Sequence, residues 1–102
     1  MSRSVLFTPT ARKRFLAALA NIAADDPAAA RRLRERAEES LSRPADYPAS
    51  GRVLPEFPDL PFREIVVSPY RFFCRVKDDV VWVVAAWHSA QLPGDPEDVR
   101  RD

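Results

Sequence analysis

Between residues 44 and 61 the chain carries five prolines, Pro44, Pro48, Pro55, Pro58 and Pro61, half of the ten it contains. Each proline fixes φ and removes a backbone donor, so this density predicts an ordered loop or extended crossover over 44–61 with no regular element. The apolar pattern differs on its two sides. Before it, hydrophobic residues recur at helical spacing; after it, they alternate or run continuously as in strands. A chain of 102 residues is the size of one domain with one modest core. The proline-rich segment therefore joins a helical half to a strand half of a single unit, residues 1–92, with the charged, proline-bearing residues 93–102 expected as a flexible tail.

The helical half opens with a short β-type run, Val5-Leu6-Phe7. Thr8-Pro9 then supplies an N-cap and a first-turn proline. Ala11, Phe15, Ala18 and Ile22 form an apolar stripe, widened by Leu16, Leu19 and Ala23. Asp25-Asp26-Pro27 ends this helix and caps a second, whose stripe is Ala30, Leu33, Ala37 and Leu41. So short a break predicts an antiparallel helical hairpin.

Beyond the prolines, strands are expected at Arg63–Val67, Tyr70–Lys77 and Val80–His88, the last two joined by a turn at Asp78-Asp79. The fold class predicted is α+β in the order β-α-α-β-β-β. The hairpin of helices packs on one face of a mainly antiparallel four-stranded sheet that the first strand joins. A two-residue turn places Lys77 opposite Val80. Counting back pairs Arg75 with Trp82, Phe73 with Val84 and Arg71 with Ala86. Tyr70, Phe72, Cys74, Val76, Val81, Val83, Ala85 and Trp87 then share an apolar face suited to lie under the helices. Arg71, Phe73, Arg75, Trp82, Val84 and His88 share the other, and a one-residue slip would exchange the faces.

Several function classes drop out. The longest apolar run, Val80–Trp87, is too short to cross a bilayer, and no signal-peptide pattern follows the first residues, so a cytoplasmic protein is expected. One cysteine and one histidine give neither an internal disulfide nor a zinc set, and two glycines make no phosphate-cradling loop, so no metal or cofactor is expected. The net charge of +1 is unevenly spread: residues 1–43 hold nine basic against five acidic residues (+4), and 44–102 hold seven against ten (−3). A locally basic helical half suits nucleic acid or an acidic partner, and equally a solvated helix face.

What chemistry remains is acid–base work by His88 beside an arginine that grips phosphate in bidentate fashion. The predicted register makes Arg71 and His88 diagonal neighbours on the face away from the helices. Glu56 is the nearest loop carboxylate for a base. The same positions also fit a solvated strand-end histidine and an exposed loop acid. Arg63, Arg75, Phe73 and Trp82 are candidates for substrate or partner contact, because a cationic and aromatic sheet face is an interaction surface. Cys74 falls on the core side and reads as inert packing.

Val5-Leu6-Phe7-Thr8-Pro9-Thr10-Ala11-Arg12-Lys13-Arg14-Phe15 resembles the opening strand and helix of the RelE/ParE superfamily of bacterial toxins. Ser50-Gly51-Arg52-Val53-Leu54-Pro55-Glu56, Phe62-Arg63-Glu64-Ile65 and Pro69-Tyr70-Arg71-Phe72-Phe73-Cys74-Arg75-Val76 are similar to the sheet pattern of that superfamily, with Cys74 where a tyrosine is usual. Val83-Val84-Ala85-Ala86-Trp87-His88 resembles its last strand. The likeness spans about residues 3–92. It implies a type II toxin–antitoxin toxin held by a cognate antitoxin, whose partly disordered segment orders on the toxin and which contacts operator DNA. ParE-type members of the superfamily poison DNA gyrase, and that target is expected here, since the Ser-Gly-Arg and Pro-Tyr-Arg pieces look ParE-like. RelE-type members cleave mRNA on the ribosome, the alternative, in which Glu56, Arg71 and His88 would be base, phosphate ligand and acid. A second alternative is a non-toxic binding module of the same fold.

Overall fold

The computed structural model describes residues 3–47, 50–53, 59 and 61–88. Its elements run β1 (Ser4–Phe7), α1 (Pro9–Asp25), α2 (Pro27–Asp46), β2 (Arg52–Val53), β3 (Arg63–Val67), β4 (Tyr70–Lys77) and β5 (Val80–His88). They form one five-stranded sheet in the order β1-β5-β4-β3-β2. β1 runs parallel to β5, and the other neighbours are antiparallel. The expected architecture holds, with β2 as a short fifth strand. The tail 93–102 lies outside the described residues.

Both helix starts follow from their caps. The Thr8 hydroxyl accepts from the Ala11 N–H at 3.3 Å, and the Asp26 carboxylate accepts from the Ala29 N–H at 3.1 Å; Pro9 and Pro27 occupy the first turns. The expectation of no regular element over 44–61 is corrected at two places. α2 continues through Pro44 to Asp46, because that proline sits in the last turn, where its ring is buried and few helical bonds remain to be lost. The Ala45 carbonyl there accepts the Arg3 N–H and ties the end of α2 to the start of β1. Arg52–Val53 then pairs with β3, Arg52 opposite Glu64 and Val53 opposite Arg63.

The main core lies between helices and sheet. Ala11 and Phe15 of α1 and Leu33, Ala37 and Leu41 of α2 close on Ile65, Val67, Phe72, Cys74, Val81 and Val83. Three rings lock its centre: Phe15 meets Phe72 edge to face at 5.2 Å, and Phe7 stacks on Phe15 at 5.8 Å. Cys74 is buried as expected, and burial pushes its thiol up to about 12.

The hairpin turn is at Asp78-Asp79, with Asp78 at φ +55°, a conformation that aspartate tolerates in turns. Pairing follows the predicted register from Lys77–Val80 through Arg75–Trp82 to Cys74–Val83. There it breaks. Phe73 faces Ala85, Phe72 faces Ala86, Arg71 faces Trp87 and Tyr70 faces His88. Val84 is the extra residue of a β-bulge. Val84 and Ala85 both join a second cluster on the far side of the sheet with Phe62 and Phe73, flanked by Trp82 and Trp87. Two predicted placements therefore change: Ala85 and Trp87 leave the helix side, and Phe73 and Val84 are buried where an open patch was expected. The bulge is held from β1: the Thr8 N–H donates to the Val83 carbonyl at 3.0 Å, and the Thr8 hydroxyl approaches the Val84 carbonyl at 3.5 Å.

Phe72 is fully buried at the meeting point of three elements. Phe72→Ala is expected to cost about 3–5 kcal/mol in urea unfolding, with an unchanged denaturant slope. A loss below about 1 kcal/mol would show that the site collapses around the truncated side chain.

Candidate functional site

On the face away from the helices, the β2–β3–β4 register places three charged side chains together. Glu64 on β3 is directly opposite Arg52 on β2 and diagonal to Arg71 on β4. The Arg71 guanidinium donates twice to the Glu64 carboxylate, from Nε to Oε1 at 3.0 Å and from Nη2 to Oε2 at 2.7 Å. Arg52 Nη2 adds a third bond to Oε1 at 3.0 Å. Glu64 is 2% exposed and Arg71 9%. Removal from water pushes the Glu64 pKa up; the hydrogen bonds and charges of Arg71 and Arg52 outweigh this and hold it below its ordinary value.

Gly51 lets Arg52 reach this position. Its φ is +86°, and a Cβ there would stand 2.7 Å from the Glu64 carbonyl oxygen and 2.8 Å from Ile65 Cδ1. The glycine of Ser50-Gly51-Arg52 is thus what brings β2 against β3. Arg71 also lies over the Phe73 ring at 5.4 Å, and Arg75 over the Phe62 ring at 5.9 Å. The bidentate pair occupies the guanidinium edge of Arg71 that would otherwise clasp a phosphate.

His88 is on the other side of the sheet. It faces Tyr70, with their rings edge to face at 5.3 Å, on the same side as Ala86 and Phe72. The bulge causes this by inverting the facing of every residue after Val84. The expected neighbourhood of Arg71 and His88 is therefore corrected: adjacent strand positions put them on opposite faces. Glu56 lies outside the described residues. Of the four residues expected to make contacts, Phe73, Arg75 and Trp82 share the far face, with Phe73 wholly buried. Arg63, opposite Cys74, falls on the helix side.

A surface that the sequence reading passed over lies where the helical hairpin meets edge strand β1. An open groove of about 580 Å³ has Val5, Phe7, Phe15 and Leu41 in its lining and Leu6, Leu16 and Leu19 along it, with Arg12 and the Arg34–Glu38 ion pair as its charged groups. Leu16 is 52% exposed and Leu6 46%. The signal was available: the α1 stripe, with Leu16 and Leu19 beside Phe15 and Ile22, is broader than one packed helix face requires.

A helical hairpin on one face of a mixed sheet, with an exposed apolar groove along an edge strand, is a small α+β domain with an open apolar surface. The chain belongs to the family described as ParE toxin of the type II toxin–antitoxin system, parDE, whose sequence profile matches residues 5–93. It is the toxin component of such a system, with a cognate antitoxin as partner. Its fold is similar to a solved structure titled chromosomal ParDE TA system from P. aeruginosa, with a TM-score of 0.64 and 16% identity, covering 85% of this chain and 96% of that one. No curated protein matches the chain by sequence.

Removing Arg71 leaves the buried Glu64 carboxylate with only its single bond from the exposed Arg52. Arg71→Met is expected to cost about 3–5 kcal/mol. The Glu64 contribution is fully present above the ordinary carboxylate value of 4.5 and is lost as pH falls through the depressed folded-state value. The stability gap between the wild type and Glu64→Gln should then be constant at neutral pH and narrow below pH 4.5. Urea unfolding at a series of pH values measures it, and a gap unchanged in acid would mean that Glu64 titrates equally in both states.

Proposed function

We propose that this toxin arrests growth in the cytoplasm by acting on DNA gyrase, and that its antitoxin neutralises it through the groove between α1, α2 and β1. Membership of the ParE family supports the gyrase target. So does the placement of Arg71, whose carboxylate-binding edge is committed to Glu64, and of His88, which lies across the sheet from it. Cleavage of mRNA through these two residues would require them on one surface, and no observation favours that reading.

The groove supports the antitoxin assignment because its chemistry specifies a complement. Exposed Leu6 and Leu16 call for an apolar segment, and Arg12, which has no acidic partner among the described residues, calls for an acidic residue flanking it, whereas Arg34 already pairs with Glu38 at 3.8 Å. The antitoxin segment expected from the family resemblance orders when it is laid down there, and its DNA-binding part carries the complex to operator DNA.

Inducing the chain without its antitoxin should stop growth, with an SOS response and gyrase–DNA cleavage complexes in the arrested cells. Normal growth would refute the toxin activity, and transcript cleavage without gyrase complexes would refute the target. Leu16→Glu should leave toxicity intact while co-expressed antitoxin no longer protects; full protection would remove the groove as the neutralising surface.

A further inference from the structure

Past Val83 the outer side of β5 has no strand partner among the described residues, because β1 has ended at Phe7 and turned into α1. α1 instead runs beside the end of β5. Between them is a second concave site, a cavity of about 530 Å³, to which Arg14 and Asn21 of α1 contribute with Tyr70, Trp87 and His88 of the sheet; alanines make up the rest of the lining. Among the described residues, none of those lining it is acidic. Five side chains there are hydrogen-bond donors or can become so: a guanidinium, a carboxamide, a phenol, an indole N–H and an imidazole.

The aromatic content is as marked as the donor content. The Arg14 guanidinium lies 4.5 Å over the Trp87 ring, and Tyr70 and His88 meet edge to face at 5.3 Å. The Trp87 indole nitrogen is buried with no hydrogen-bond partner. No carboxylate among the described residues lies within ion-pair distance of Arg14, and Arg12 and Lys13 beside it are in the same position. Arg14 stands in the second turn of α1, whose first turn holds no acid.

We infer that this corner binds a nucleotide, with its phosphate on the Arg14 guanidinium, which spans to Trp87 at the strand edge, and its base against the rings of Tyr70 and His88. The cavity is larger than a lone inorganic anion needs and lies within the usual range for small-molecule sites. Arginine supplies planar recognition of phosphate, and ring surfaces supply stacking that any base satisfies. The nucleotide is either free or an unpaired unit of a strand. The site lies at the open edge of β5, with Tyr70 and His88 on the helix side and Trp87, opposite Arg71, at the edge, and it shares no lining residue with the neutralising groove.

The chain has two tryptophans, so Trp82→Phe leaves Trp87 as the only indole reporter. Fluorescence of the full-length Trp82→Phe protein is titrated with a nucleoside monophosphate, with a short single-stranded oligonucleotide and with inorganic phosphate. Saturable quenching by the nucleotide, at least about tenfold tighter than by phosphate, is expected, and Arg14→Gln should weaken it by about tenfold or more. Quenching by the oligonucleotide alone would assign the site to a strand; quenching by the mononucleotide would assign it to a free ligand. No saturable response to either nucleotide ligand overturns the inference. So does phosphate binding as tightly as nucleotide, or an Arg14→Gln protein of native circular dichroism that binds like its parent. Asn21→Ala, on the exposed side of α1, gives a second variant whose binding should weaken without a change in fold. None of these readouts involves the toxin's target.

Discussion

The extra residue in β5 governs how this molecule presents its surfaces. Up to Cys74–Val83 the β4–β5 hairpin keeps a plain two-residue register. At Phe73 it takes two residues, Val84 and Ala85, against one. A side-chain period of two means that one inserted residue reverses the facing of the whole remaining strand. Thr8 fixes the position of the change, because it ends β1, caps α1 and touches the carbonyls of Val83 and Val84. The same residue that turns the chain into its first helix therefore holds the irregularity that carries His88 to the helix side.

The consequences differ for the two faces. On the far face, a buried carboxylate is gripped by Arg71 and Arg52, and that arrangement depends on Gly51 letting β2 close on β3. A buried ion pair of this kind is weak evidence for net stability, since desolvation offsets much of its attraction, but it leaves few alternative registers for three strands. On the helix face, His88 joins Tyr70 beside α1, and Leu16 and Leu19 of α1 line an open groove along the β1 edge. Ser50-Gly51-Arg52, Glu64 and Arg71 are thus tied to one another across three strands, while both concave surfaces involve residues of α1.

Much of the fold was legible in the sequence wherever the signal was local. Thr8-Pro9 and Asp26-Pro27 marked both helix starts, Asp78-Asp79 marked the turn, and alternation through Tyr70–Lys77 set the faces of β4. The bulge was not legible, because Val83-Val84-Ala85-Ala86 is apolar throughout and offers no polar residue whose misplacement would betray a slip. Pro44 misled because a proline in a last helical turn loses little. β2 was hidden because its two residues acquire strand character only from β3. The pairing of Glu64 with Arg71 rests on register between two strands, so Arg63-Glu64 alone left its role undecided. Leu16 and Leu19 widen the α1 stripe beyond what one sheet face covers, so Leu19 packs at the core margin and Leu16 stays exposed.

The central claim is that the bulge puts His88 and Arg71 on opposite sides of the sheet, and ring-proton nuclear Overhauser contacts in the isolated toxin test it most directly. The account predicts cross-peaks between the Tyr70 and His88 rings and none between the His88 ring and the Arg71 side chain. Contacts from His88 to Arg71, together with Phe73 paired to Val84, would restore the unbulged hairpin and contradict it.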